Sequence, residues 1–88
     1  MDSAQRKALK AKAHKLDPLV QIGAKGLTDE VVAEVDRALR AHQLIKVRAA
    51  TLERPARSEA FQSLCERTRA ELVQEVGKVL VLYRKSDE

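Results

Sequence analysis

Apolar residues in this chain recur with two periods, about 3.6 residues and about 2, and the switches between them divide it into helices and strands. From Ser3 to about His14 good helix formers run without a break. At about 100° per residue Leu9, Ala13 and Leu16 share one face, with Arg6, Lys7, Lys10 and His14 on an adjoining one. Asp17-Pro18 ends this helix, because proline pushes the residue before it out of the α region. Leu19 to Ile22 reads as a short strand. Beyond a short turn, Thr28 can cap a helix with Asp29 and Glu30 in its first turn, where acidic side chains complement the helix dipole. Leu27, Val31, Val35, Ala38 and Leu39 make its buried stripe, and His42 ends it.

Gln43 to Ala50 returns to the strand period, with Leu44, Ile45 and Val47 apolar and Lys46 and Arg48 on the face opposite Val47. A third helix starts near Pro55 and places Phe61, Leu64, Cys65 and Thr68 at helical spacing. Between Leu72 and Tyr83 two apolar runs flank Gly77-Lys78, the composition of a two-residue hairpin with glycine first. Val79 to Tyr83 is apolar almost without alternation, as expected of a strand covered on both faces. Ser86-Asp87-Glu88 is expected to fray. The order α-β-α-β-α-β-β predicts an α/β fold, a compact sandwich of a four-stranded mixed sheet with three helices. No repeat or Pro/Gly/Ser-rich linker divides the chain, so residues 1–88 are read as a single domain.

Composition bounds the function. Hydrophobic residues are 44% and charged residues 34%, a balance that supports one modest core. Cys65 is the only cysteine, which excludes an internal disulfide and fits a buried small apolar position in a reducing compartment. No apolar stretch approaches the roughly 18 residues a membrane span requires, and the N-terminus lacks a signal-type run, so a cytoplasmic location is expected. The net charge of +4 is unevenly placed. Met1 to Gly26 carries six Lys/Arg against two Asp, and Leu27 to Glu88 carries eleven of each sign. An anionic partner is implied.

The turn Gly23-Ala24-Lys25-Gly26 lies at the end of this basic segment, between strand and helix. Its two glycines are expected to give positive φ and close backbone approach, while Lys25 supplies a cation suited to a phosphate. Asp29 and Glu30 would repel a phosphate seated on the helix axis, so the ligand is expected at the turn amides and Lys25. A strand-to-helix connection needing only positive φ has the same appearance. The stripe Arg6, Lys7, Lys10 and His14 reads either as a solvated face or, lacking an acidic counterweight beyond Asp2, as a binding surface.

Catalytic chemistry finds no support. His14 and His42 have no Cys or carboxylate partner at metal-ligand spacing, and no phosphate-binding loop or nucleophile-elbow pattern occurs. No cofactor or metal is expected. Phe61 and Tyr83 are the only Phe and Tyr, and Trp is absent, so recognition by base stacking on an aromatic sheet is excluded as the main mode.

Three blocks in order resemble the CRM domain family (chloroplast RNA splicing and ribosome maturation), in its stand-alone bacterial YhbY-type form. They are Val20-Gln21-Ile22-Gly23-Ala24-Lys25-Gly26-Leu27-Thr28, His42-Gln43-Leu44-Ile45-Lys46-Val47, and Val76-Gly77-Lys78-Val79-Leu80-Val81-Leu82-Tyr83-Arg84. The resemblance implies a fold like the C-terminal domain of translation initiation factor 3 and a role in binding RNA. It carries the family's G-x-x-G loop onto Gly23, Ala24, Lys25 and Gly26. The family's basic surface matches Arg6, Lys7, Lys10 and Lys15 in character rather than as a fixed motif. His14, Lys46 and Arg48 are second-tier candidates, the last two depending on which sheet face the helices cover.

The expectation is therefore a non-enzymatic, monomeric RNA-binding protein on structured ribosomal RNA in large-subunit assembly, the partner being that RNA or its precursor particle. The rival is an interaction adaptor whose basic face meets an acidic ribosome-associated protein.

Overall fold

The computed structural model describes residues 1–85, and the expected frayed tail, Ser86-Asp87-Glu88, lies outside the described residues. The elements run α1 (Ser3–Ala13), β1 (Val20–Gln21), α2 (Asp29–His42), β2 (Leu44–Arg48), α3 (Ala56–Thr68), β3 (Glu71–Val76) and β4 (Val79–Tyr83). Three helices and a four-stranded mixed sheet thus follow one another in the expected order.

The sheet order is β1-β2-β4-β3. β1 and β2 are parallel, joined through α2, while β4 is antiparallel to both its neighbours. Alternation along the two central strands builds two cores. Ile45, Val47, Leu80 and Leu82 turn to one face, against Val35 and Leu39 of α2 and Phe61 and Leu64 of α3. Leu44 and Val81 turn to the other, with Val73, against Leu9 and Ala13 of α1. The near-continuous apolar run of β4 is explained by this double cover. Gly77, at φ +57°, opens the β3–β4 hairpin, and Lys78 Nζ donates to the Ala50 carbonyl at 2.9 Å, which ties the hairpin to the loop after β2.

Several boundaries differ from the sequence reading. α1 stops at Ala13, with the His14 N–H bonded back to the Lys10 carbonyl, and Leu16 lies past the helix and 37% exposed. The helix therefore buries two residues of the expected three. β1 has two residues, yet its ladder reaches further, since the Leu19 N–H donates to the Lys46 carbonyl and the Ile22 N–H to the Arg48 carbonyl. β2 is shorter than Gln43 to Ala50 because Gln43, at φ +63°, terminates α2 rather than opening the strand. Cys65 is half-buried at the margin of the core, and burial pushes its thiol pKa up. Arg57, which the apolar pattern does not mark, is buried on α3, with a long 3.5 Å contact from Nη1 to the Leu52 carbonyl and Nε unpartnered.

Candidate nucleic-acid interface

Because β1 and β2 are parallel, both end at the same edge of the sheet, where β1 runs directly into the glycine turn. The Gly26 N–H donates to the Gly23 carbonyl at 3.0 Å, and Ala24 and Lys25 keep negative φ, as in a type I turn. Only Gly26, at φ +79°, uses the conformational freedom of glycine, so the expectation of positive φ at both glycines is corrected at Gly23. A Cβ on Gly23 would meet nothing within 4 Å. Neither backbone conformation nor internal packing therefore accounts for glycine at this position. Ala24 and Lys25 are exposed, and their amides donate to no protein group among the described residues.

At the start of α2, Thr28 Oγ1 accepts the Val31 N–H at 3.2 Å. Asp29, expected to repel an incoming phosphate, is held by Arg67 of α3 at 2.7 Å. One of the two acidic obstacles beside the turn is thus compensated from the neighbouring helix.

The sheet settles the direction of Lys46 and Arg48. They alternate with Ile45 and Val47, which enter the α2/α3 core, so both basic residues share the sheet face that carries α1. Lys46 lines a groove of about 380 Å³ together with Lys10 of α1 and His14 at its C-cap, floored by Val79 and Val81. Arg48 lies two residues further along β2, roughly 7 Å on. Its register partner on β1 is Gln21, two residues before Gly23. A line of cations therefore leads from α1 across the open part of the sheet to the turn. Arg6 and Lys7, both exposed, extend the Lys10 flank toward the start of α1 by one helical turn.

The proposed basic footprint is not one continuous face. Lys15 lines a separate cavity on the other flank of α1, together with Lys12, which the sequence reading passed over. The signal for Lys12 is its helical angle, which puts it about 160° from Lys10, across the buried Leu9–Ala13 line.

Ion pairing sorts the basic residues a second way. Arg40, Arg54, Arg67, Lys78 and Arg84 each pair with a carboxylate. Among the described residues none of Arg6, Lys7, Lys10, Lys12, Lys15, Lys25, Lys46 and Arg48 makes such a pair. Arg37, Arg57, Arg69 and Lys85 also make no such pair among the described residues, but they are scattered over α2, α3 and the end of the chain, whereas the unpaired cations of α1, of the α1 face of β2 and of the turn form a group. Among the described residues no group of three His, Cys, Asp or Glu side chains is gathered as a metal-binding set, and no helix is long and apolar enough to cross a membrane.

Fold and site together are those of a small α/β domain with a glycine turn at the end of β1 and unpaired cations beside it. The chain belongs to the CRS1/YhbY (CRM) domain family, whose sequence profile matches residues 1–84. It is 41% identical over 88 residues to an RNA-binding protein of Haemophilus influenzae, covering 100% of this chain and 89% of that one. It is also 43% identical over 82 residues to a probable RNA-binding protein of Pseudomonas aeruginosa, covering 93% of this chain and 79% of the relative. The solution structure of a Staphylococcus aureus protein proposed to bind RNA superposes with a TM-score of 0.85 at 35% identity, over 100% of this chain and 92% of that one.

Proposed function

We propose that this chain is a non-enzymatic RNA-binding protein that docks as a monomer on structured large-subunit ribosomal RNA, or on its precursor particle, in the cytoplasm. The observation that carries the reading is the segregation of charge. Among the described residues five of the nine basic residues elsewhere pair with carboxylates, whereas none of the eight on α1, just after it, on the exposed side of β2 and at Lys25 does, which leaves that group for an external anion. The names of the relatives, RNA-binding protein and probable RNA-binding protein, support RNA as that anion.

In this reading Lys25 pairs with a phosphate, and the free amides of Ala24 and Lys25 donate to its oxygens. Gly23 and Gly26 let the RNA backbone come close, and Gly23 has its open space because the ligand, not the protein, fills it. Lys10, Lys46 and Arg48 continue the phosphate track, with His14 beside it. Arg6 and Lys7 extend it on one flank and Lys15 on the other. The scarcity of aromatic side chains leaves phosphates, 2′-hydroxyls and helix shape as the main recognition features.

Crosslinking in cells followed by sequencing of the bound RNA tests the proposal. Reads concentrated in large-subunit ribosomal RNA, and co-sedimentation with its precursor particles that RNase abolishes, are the expected result. RNase-resistant binding to a single acidic protein would favour the adaptor instead.

A further inference from the structure

A second cavity lies across α1 from the groove that holds Lys10 and Lys46, and Lys15 stands on its rim. It measures about 690 Å³, within the range of about 300–1,000 Å³ usual for small-ligand sites, and opens between α1, the α1–β1 connection and the α2–β2 junction. Its walls are apolar, built from Leu9, Leu16, Leu19, Leu44 and the Tyr83 side of β4. Leu19 and Leu16, 52% and 37% exposed, stand together on this wall and give it a small open apolar patch. The rim carries Lys12 and Lys15 against the single carboxylate of Asp17. A ligand suited to this site combines negative charge with an apolar, compact body.

Gln43 also lines the cavity, and its backbone is held in place. Its backbone sits at φ +63°, a region that a non-glycine residue occupies at a cost. Both of its backbone groups are committed, the N–H to the Leu39 carbonyl and the carbonyl to the Arg84 N–H, each at 2.9 Å. Its exposed side-chain amide offers two donors and an acceptor from that point on the cavity wall.

Lys10 and Lys12 lie on opposite flanks of the last turn of α1, one beside the phosphate track and the other on the cavity rim. An RNA strand bound along the track thus needs to cross only one helix, about 10–12 Å wide, to reach the cavity. Bases in a duplex are stacked and paired and cannot make that excursion, whereas an unpaired nucleotide can. We propose that the cavity receives the base of one unpaired nucleotide, with Lys12 and Lys15 on its flanking phosphates and Gln43 on its polar edge. The RNA recognised is then a duplex interrupted by a bulge or open loop. This inference rests on the RNA-binding reading above.

The test uses the full chain and two RNA hairpins that are identical except for one unpaired 2-aminopurine. Wild-type protein should prefer the bulged hairpin by about tenfold, the scale of sheltering one base, and should change its fluorescence. Ala8→Phe places a ring in the cavity from an exposed helical position and removes no charge. It should abolish the preference while leaving affinity for the uninterrupted hairpin unchanged. Leu19→Ser, which opens the wall from the connection, should give the same loss and guards against a folding defect in the first variant. Lys25→Ala should weaken both hairpins alike. Equal wild-type binding to the two hairpins, or a preference retained in folded Ala8→Phe and Leu19→Ser proteins, overturns the inference alone. Absence of binding to either hairpin overturns the RNA-binding reading together with it.

Discussion

Arg84 Nη1 donates to the Asp36 carboxylate at 2.7 Å, joining the residue after β4 to the middle of α2. The same nitrogen donates to the Thr68 carbonyl at 2.8 Å, and Nη2 donates to the Asp36 carbonyl at 3.2 Å. One guanidinium therefore fastens the end of the central strand to α2 and to the last residue of α3. We expect Arg84→Met to destabilise the fold by about 1–3 kcal/mol, because it leaves the Asp36 carboxylate with Arg40 alone and removes the guanidinium donor from the Thr68 and Asp36 carbonyls. In a domain of this size each kcal/mol lowers Tm by about 4–8 °C. Thermal unfolding followed by circular dichroism measures this, and an unchanged Tm would mean that solvent replaces the contacts at no cost.

The same pair gives stability a pH dependence. The hydrogen bond from Arg84 holds the Asp36 carboxyl below its usual pKa, more than offsetting the opposing effect of burial. A depressed folded-state pKa stabilises the protein above the unfolded value of about 3.9, and that stabilisation is lost as pH falls through the folded value. The stability gap between wild type and Asp36→Asn should thus be flat near neutrality and close below about pH 4. Urea unfolding across that range checks it, and a gap that widens on acidification would reverse the assignment.

The two glycines of the turn separate folding from binding. Gly26 is at φ +79°, so Gly26→Ala should cost about 1–2 kcal/mol of stability. Gly23 has ordinary φ and open space around it, so Gly23→Ala should melt like the wild type. If RNA occupies that space, Gly23→Ala should nonetheless weaken binding several-fold, and Gly23→Asp more so by charge repulsion. Wild-type affinity in Gly23→Asp would move the RNA away from the turn.

The residues that were legible in the sequence are those governed by local period. Ile45 and Val47 against Lys46 and Arg48 follow strand alternation, Val35 and Leu39 follow the helical stripe, and Gly77-Lys78 follows turn chemistry. Each is decided by neighbours a few positions away. What escaped was decided across the fold. The partners of Arg84 lie 48 and 16 residues back in sequence, and no local pattern announces them. The family resemblance sets Lys15 beside Lys10 in character, whereas helical angle already puts it about 140° away and the structure has it on the other flank, past the end of α1. Gln43 resembled a strand residue by composition, and only the need to end α2 over β2 gives it positive φ. The face taken by Lys46 and Arg48 required knowing where α1 packs. The assignment of the glycine turn to the edge of the sheet was accessible, since the strand period ends at Ile22, but the idle space at Gly23 was not.

Charge segregation makes a claim that salt can decide. Lys10 and Lys46 line one groove, Arg48 follows on the same strand face, and none of the three has a carboxylate partner among the described residues. If each meets a phosphate, replacing all three by Gln should make the slope of log affinity against log salt shallower by roughly 2 to 3 units, at about 0.7 to 0.9 per contact. Arg40 and Arg54 are equally basic and well exposed, but already pair with Asp36 and Glu75. Their replacement by Gln should leave the slope as in the wild type. Long-range attraction to net charge would make the two sets of variants alter binding in proportion to the charge removed, whereas direct phosphate contact makes only the first set change the slope. Equal slopes in the two sets would therefore detach the RNA backbone from the α1 face of β2, even if both sets bound more weakly.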